Sequence, residues 1–144
     1  MKIEAKYSDP RCRPLRANPT DAGADLFATE KVMLYPQHMY LIDTGVSLKI
    51  PKGYVGLVVP RSSQGKVRVS IANTVGVIDA DYRGSIMVRL VNEGHEPYEV
   101  NAYSTRIAQI MIVPVALPEF EETTDVDNWL DTKRGTGGFG STGV

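Results

Sequence analysis

With 144 residues, 42% of them apolar and 23% charged, the chain has the size and composition of one globular domain with a real core. Its 16 basic and 17 acidic side chains leave a net charge of −1, which excludes broad electrostatic binding to nucleic acid or an anionic membrane; an anionic ligand must be held by a local cluster. The single cysteine, Cys12, cannot close an internal disulfide, and no apolar stretch approaches the length of a membrane span. The opening Met1-Lys2-Ile3-Glu4-Ala5-Lys6 has no apolar run of the kind a signal peptide needs, so the chain is expected in the cytoplasm, or in the host cytoplasm if it is viral.

Asp21-Ala22-Gly23-Ala24-Asp25-Leu26 follows a loop rich in proline and arginine. Two acids around a small, flexible spacer suit either the ordering of metal-bound waters or the bracing of an arginine; a plain turn would also place Asp and Gly here. Beyond it come many short β-like segments. Val46, Leu48 and Ile50 alternate with polar neighbours, as do Val67, Val69 and Ile71, and Ile86, Val88 and Leu90 mark one face of a third segment. Tyr54 to Val59 and Ile107 to Val113 are near-continuous apolar runs of strand length, expected to be buried on both faces; the second could alternatively line an axis between subunits. Pro36, Pro51, Pro60, Pro97, Pro114 and Pro118 fall at the edges of these runs. No window offers an amphipathic helix of three turns. The chain reads as all-β, a barrel or jelly-roll-like sandwich over 1–118, then an acidic linker over 119–133 and a glycine-rich arm over 134–144.

Four further segments have chemical potential. Pro60-Arg61-Ser62-Ser63 ends a strand with an arginine and two hydroxyls, a plausible phosphate grip. Asn73 to Gly84 reads as a strand, a tight hairpin and a returning strand. Within it the amide of Asn73 suits a base edge showing both donor and acceptor, Tyr82 can pack flat on a sugar, and Asp79 is the best-placed carboxylate to hold and deprotonate a water. Gln109 interrupts an apolar strand and needs either a structural partner or a ligand. His38 and His95 stand in turn-like contexts without partners at metal or triad spacing. The arm Arg134-Gly135-Thr136-Gly137-Gly138-Phe139-Gly140-Ser141-Thr142-Gly143 has little that could repay its ordering entropy by packing into a core; it makes sense as a segment that orders over phosphates and one flat ring. Trp129, alone in the linker, suits either a clamp on a neighbouring subunit or an isolated surface aromatic.

Taken in order, Asp-Ala-Gly-Ala-Asp-Leu, Pro-Arg-Ser-Ser, Asn-Thr-Val-Gly-Val-Ile-Asp-Ala-Asp-Tyr-Arg-Gly, Arg-Ile-Ala-Gln and the glycine arm closely resemble the five motifs of the trimeric dUTPases, over essentially the whole chain. The resemblance implies a jelly-roll-like β-barrel that forms a homotrimer with three shared active sites. It implies hydrolysis of dUTP to dUMP and pyrophosphate with Mg²⁺ on the triphosphate, keeping uracil out of DNA and supplying dUMP for thymidylate synthesis. By that resemblance Asp79 activates the water and Gln109 helps hold the phosphate and water region. Asn73 reads uracil, and Tyr82 lies under the deoxyribose and excludes a 2′-hydroxyl. Arg61, Ser62 and Gln109 form the phosphate and metal-water shell, supported by Asp25. Arg134, Ser141 and Thr142 clamp the γ-phosphate, Phe139 closes over uracil, and Ser63, Val77 and Gly140 complete the substrate contacts. The chain departs from the usual pattern at Ser63, Ser85 and Ser104-Thr105. A dCTP deaminase on the same barrel would lack the full arm with its phenylalanine.

Overall fold

The computed structural model describes residues 1–124 and 129–138. Eleven strands run in chain order among them: β1 Glu4–Tyr7, β2 Ala24–Phe27, β3 Val32–Leu34, β4 Met39–Asp43, β5 Val46–Lys49, β6 Tyr54–Val59, β7 Val69–Ile71, β8 Gly76–Ile78, β9 Met87–Asn92, β10 Tyr98–Val100 and β11 Arg106–Pro114. They form a four-stranded sheet in the order β2-β11-β6-β8, a three-stranded sheet β4-β9-β7, and the pairs β1-β5 and β10-β3, antiparallel throughout. This is the expected all-β, jelly-roll-like architecture. The only helical pieces among the described residues are short 3-10 turns at Pro10–Cys12 and Ser62–Lys66, and none is long and apolar enough to cross a membrane.

Alternation explains the core. Val46, Val88 and Leu90 turn inward, where they meet Leu26, Leu34, Ile42, Ile86, Val100 and Ile107, all essentially without solvent exposure. Burying a side chain of this size stabilises the fold by roughly 1.5–3 kcal/mol. Cys12 is a free, buried thiol in the same core.

Three expectations are corrected. The runs in β6 and β11 are not buried on both faces within one chain: Val58, Ala108 and Ile110 are buried, whereas Leu57, Val59, Met111 and Val113 are only half-buried. The four-stranded sheet packs one face on the core, and its other face carries the second set of apolar residues outward. Val67 does not begin the alternating strand. It is exposed at the end of the turn Ser62–Lys66, and Arg68, at a φ of 52°, redirects the chain before β7. The stretch from Asn73 to Gly84 is not a ladder-paired hairpin, because β8 pairs with β6 while the returning β9 pairs with β4 and β7 in the other sheet. The cause is Ile86, which is fully buried and donates its N–H to the carbonyl of Val46, drawing the chain across to the second sheet.

Candidate active site

Asp25 on β2 stands opposite Gln109 on β11, which stands opposite Val59 at the end of β6. Cross-strand partners project to one face, so the acid and the amide share the outward face beside the loop that begins at Pro60. Asp25 Oδ1 accepts from Arg61 Nε at 2.6 Å, and Asp25 Oδ2 lies 3.3 Å from Arg106 Nη1. The Asp25 side chain is only 13% exposed, so these pairs are shielded and hold better than an open surface bridge. Of the two uses considered for this acid, the geometry displays the bracing of an arginine, and it braces two. Arg61 Nη1 also donates to Ser63 Oγ at 3.1 Å.

Gln109 Nε2 donates to the Pro60 carbonyl at 2.9 Å. A carbonyl only accepts, which fixes the amide orientation and leaves Oε1 as the free acceptor. That oxygen lies against Gly23, where an added Cβ would stand only 2.2 Å away. Gly23, Asp25, Arg61, Ser62, Arg106 and Gln109 together line a cavity of about 390 Å³. It offers guanidinium and hydroxyl donors to an anion and one amide oxygen to a water.

The second group of expected residues lies elsewhere on the same chain. Ile78 faces Gly56, three residues along β6 from Val59; at ~3.3 Å per residue this is about 10 Å, and Asp79 follows one residue further on. Asp79 and Val77 line a separate groove of about 810 Å³ with Glu4, Lys49, Tyr54 and Arg83. There Lys49 Nζ donates to Glu4 Oε1 at 2.9 Å and holds that carboxyl below its usual range. The turn is closed by Tyr82 N–H on the Asp79 carbonyl at 3.2 Å, and Tyr82 Oη donates to the Ser85 carbonyl at 2.8 Å. A Cβ at Gly84 would sit 2.5 Å from that hydroxyl and push the Tyr82 ring out of this position. Asn73 stands at the other end of β8, where Nδ2 donates to the Val75 carbonyl at 3.1 Å. One chain therefore unites Asp25, Arg61, Ser62, Ser63 and Gln109, and separates them from Asp79.

Arg134 Nε donates to the Gly137 carbonyl at 2.9 Å, closing a local turn with Gly135 at a φ of 49°. Phe139, Gly140, Ser141 and Thr142 lie outside the described residues. Trp129 is exposed, as are His38 and His95. The departures have local structural uses: Thr105 Oγ1 accepts from Asn101 N–H, and Ser85 Oγ is hydrogen-bonded to the Asp43 carboxylate. Two residues escaped the sequence reading. Arg106, which braces Asp25, carries no signal beyond a charged residue ahead of an apolar run, and Gln64, 6% exposed, has the composition of a polar turn.

The dUTPase family model matches residues 11–143. The chain is 47% identical to the deoxyuridine 5'-triphosphate nucleotidohydrolase of Corynebacterium jeikeium (strain K411), covering 91% of this chain and 85% of that protein. It is also 47% identical to the protein of that name in Cutibacterium acnes, covering 94% and 88%. Among solved structures, a mutant dUTPase of Staphylococcus bacteriophage 80alpha with dUpNHpp superposes with a TM-score of 0.85 at 30% identity, covering 99% of both chains. A mutant dUTPase from phage phi11 of S. aureus, described as revealing the coordination of a structural Mg(II) ion, gives 0.79 at 28% identity, covering 88% of this chain and 99% of that one. Ordered motifs, barrel topology and these likenesses over nearly the full length converge, and the chain belongs to the dUTPase family.

Proposed function

We propose that this protein hydrolyses dUTP to dUMP and pyrophosphate by attack of water on the α-phosphate, in sites shared among three copies and acting on the nucleotide pool of the cytoplasm. The observation that carries the reading is the cavity in which Arg61, Ser62 and Gln109 converge beside Asp25, in a chain that also carries Asp79. Phosphoryl transfer needs in-line placement and charge neutralisation more than covalent help. Arg61 and Ser62 grip the phosphates, and Gln109, its Nε2 committed to Pro60, offers Oε1 to the attacking water. Asp79, contributed by a second copy, orients that water and takes its proton as the bond forms. The half-buried apolar face bearing Leu57, Val59, Met111 and Val113 is the natural contact between copies, since a patch of that kind calls for a partner.

Mg²⁺ suits this donor set as an ion carried by the triphosphate. Among the described residues no group of three or more His, Cys, Asp or Glu side chains is placed to hold a metal, and Asp25 gives both oxygens to arginines. Bound there, the ion would neutralise charge on the phosphates, with Asp25 and Gln109 touching its waters. Asn73 and the outer edge of β8 read uracil, Val77 lines that pocket, and Tyr82 fills the space beneath the deoxyribose. Residues 119–133 serve as an acidic linker that lets the arm, 134–144, reach a site. There Arg134, Ser141 and Thr142 clamp the γ-phosphate, Gly140 brings backbone close, and Phe139 covers the base.

Pyrophosphate release from dUTP, dCTP, dTTP and UTP in the presence of Mg²⁺ tests the reading. Hydrolysis of dUTP should dominate; equal turnover of dCTP would overturn it. Tyr82→Ala should lower the preference for dUTP over UTP by about tenfold, while the preference over dCTP stays, because an unpaired buried polar group costs more than a lost steric contact. Loss of uracil selectivity with sugar selectivity intact would show the two roles to be misassigned. Gly23→Ala should drive the Gln109 amide off Pro60 and lower kcat/KM by about tenfold or more, with a small change in Tm. An unaltered kcat/KM would remove Gln109 from the chemistry.

A further inference from the structure

β6 ends at Val59, so the next peptide unit, Pro60–Arg61, has no ladder partner. Its two polar groups are taken by two glutamine amides. The Pro60 carbonyl accepts from Gln109 Nε2 at 2.9 Å, and the Arg61 N–H donates to Gln64 Oε1 at 2.6 Å. Gln64 is the less expected member. It is buried, its backbone N–H donates to the Arg61 carbonyl at 3.0 Å, and its Nε2 donates to the Ile107 carbonyl of β11 at 2.9 Å. Both amides are thus anchored on β11, one as a residue of the strand and the other through its backbone two residues away. A buried glutamine in an apolar setting is retained at a cost unless every polar group is paired, and here its amide is paired at both ends.

We propose that Gln64 is a positioning residue for catalysis: with Gln109 it clamps the Pro60–Arg61 peptide and sets where the Arg61 guanidinium enters the phosphate cavity. The proposal rests on Arg61 as a phosphate ligand. Asp25 fixes the tip of the arginine and Gln64 fixes its root, so the side chain is held at both ends before substrate arrives.

The test is the hydrolysis of dUTP with Mg²⁺ by Gln64→Leu, Arg61→Ala and the double variant. Gln64→Leu leaves the Arg61 N–H and the Ile107 carbonyl without their partner. It should lower kcat/KM about ten- to a hundredfold, mainly through kcat, because the arginine is displaced rather than removed. In the Arg61→Ala background the same change should cost less than about threefold. Gln64→Glu gives an independent readout. The protonated acid can accept from Arg61 and donate to Ile107, whereas the carboxylate can only accept, and burial raises such a carboxyl. Its activity relative to wild type should climb as the pH falls from about 8 to about 6. The clamp is refuted by a Gln64→Leu enzyme within twofold of wild type, by losses that multiply fully in the double variant, or by a flat pH ratio for Gln64→Glu, which decides the matter if Gln64→Leu does not fold. Wild-type activity in Arg61→Ala would overturn the role of Arg61, and the proposal with it, and is recognisable as that outcome.

Discussion

Replacing Asp79 by asparagine is expected to lower kcat for dUTP by about 10²- to 10⁴-fold, the usual contribution of a positioned general base, and to leave binding of a non-hydrolysable dUTP analogue within about threefold. The structure makes this a clean experiment. Asp79 is exposed, its carboxylate makes no hydrogen bond among the described residues, and the turn is held instead by the Asp79 carbonyl and the Tyr82 N–H. The exchange costs no native contact, so Tm should stay where it is, and a near-normal kcat would remove Asp79 from the mechanism. The same variant tests the sharing of sites. Asp79 and Arg61 stand at opposite ends of β6, so each proposed site takes them from different copies. Co-expressed Asp79→Asn and Arg61→Ala chains, each strongly impaired alone, should regain activity at roughly one quarter of the sites, half times half for random mixing in a closed oligomer. Mixtures as inactive as either parent would mean that both residues serve from one chain.

Strands that pack one face on the core were legible because alternation records that packing. Val46, Val88 and Leu90 are buried where the period-2 pattern put them. The edge pairs were not. β1, with Glu4, Lys6 and Tyr7 exposed, buries too little to leave a pattern, and β3 and β10, though Leu34 and Val100 reach the core, are only three residues long, too short to show one; all three exist through partners distant in the chain. The apolar runs of β6 and β11 misled in a physically reasonable way. A strand that packs one face on the core and keeps apolar side chains on a half-buried second face has the same composition as one buried twice within its own domain. At the site, Asp25, Arg61 and Gln109 could be picked out by residue type and setting. Gln64 could not, since a glutamine after two serines reads as turn polarity, and only the distance to Ile107 shows that it is buried and paired. The separation of Asp79 from Arg61 follows from register, which pairs residues far apart in sequence.

Ending the chain after Lys133 should leave a folded protein with its Tm within about 2 °C of the full-length one, yet lower kcat/KM for dUTP by about a hundredfold or more. The stability half follows from where the core lies. Among the described residues every buried core side chain belongs to the chain at or before Ile110, and the hydrogen bonds described for 129–138 are local ones, such as Gly137 N–H to the Arg134 carbonyl. The activity half follows from entropy. Ordering a glycine-rich arm of this length costs on the order of 10 kcal/mol, which contacts to the triphosphate and base must offset, so closure should depend on the ligand that supplies them. In the intact protein the arm should be cleaved readily by a nonspecific protease in the absence of nucleotide. A non-hydrolysable dUTP analogue with Mg²⁺ should protect it, and dUMP, which lacks the phosphates that Arg134 would clamp, should not. Truncated protein with full activity would make the arm a spectator. Truncated protein that unfolds would make it part of the barrel. Equal protection by dUMP would move the determinant of closure from the phosphates to the base and sugar, and Arg134 would lose the role given to it.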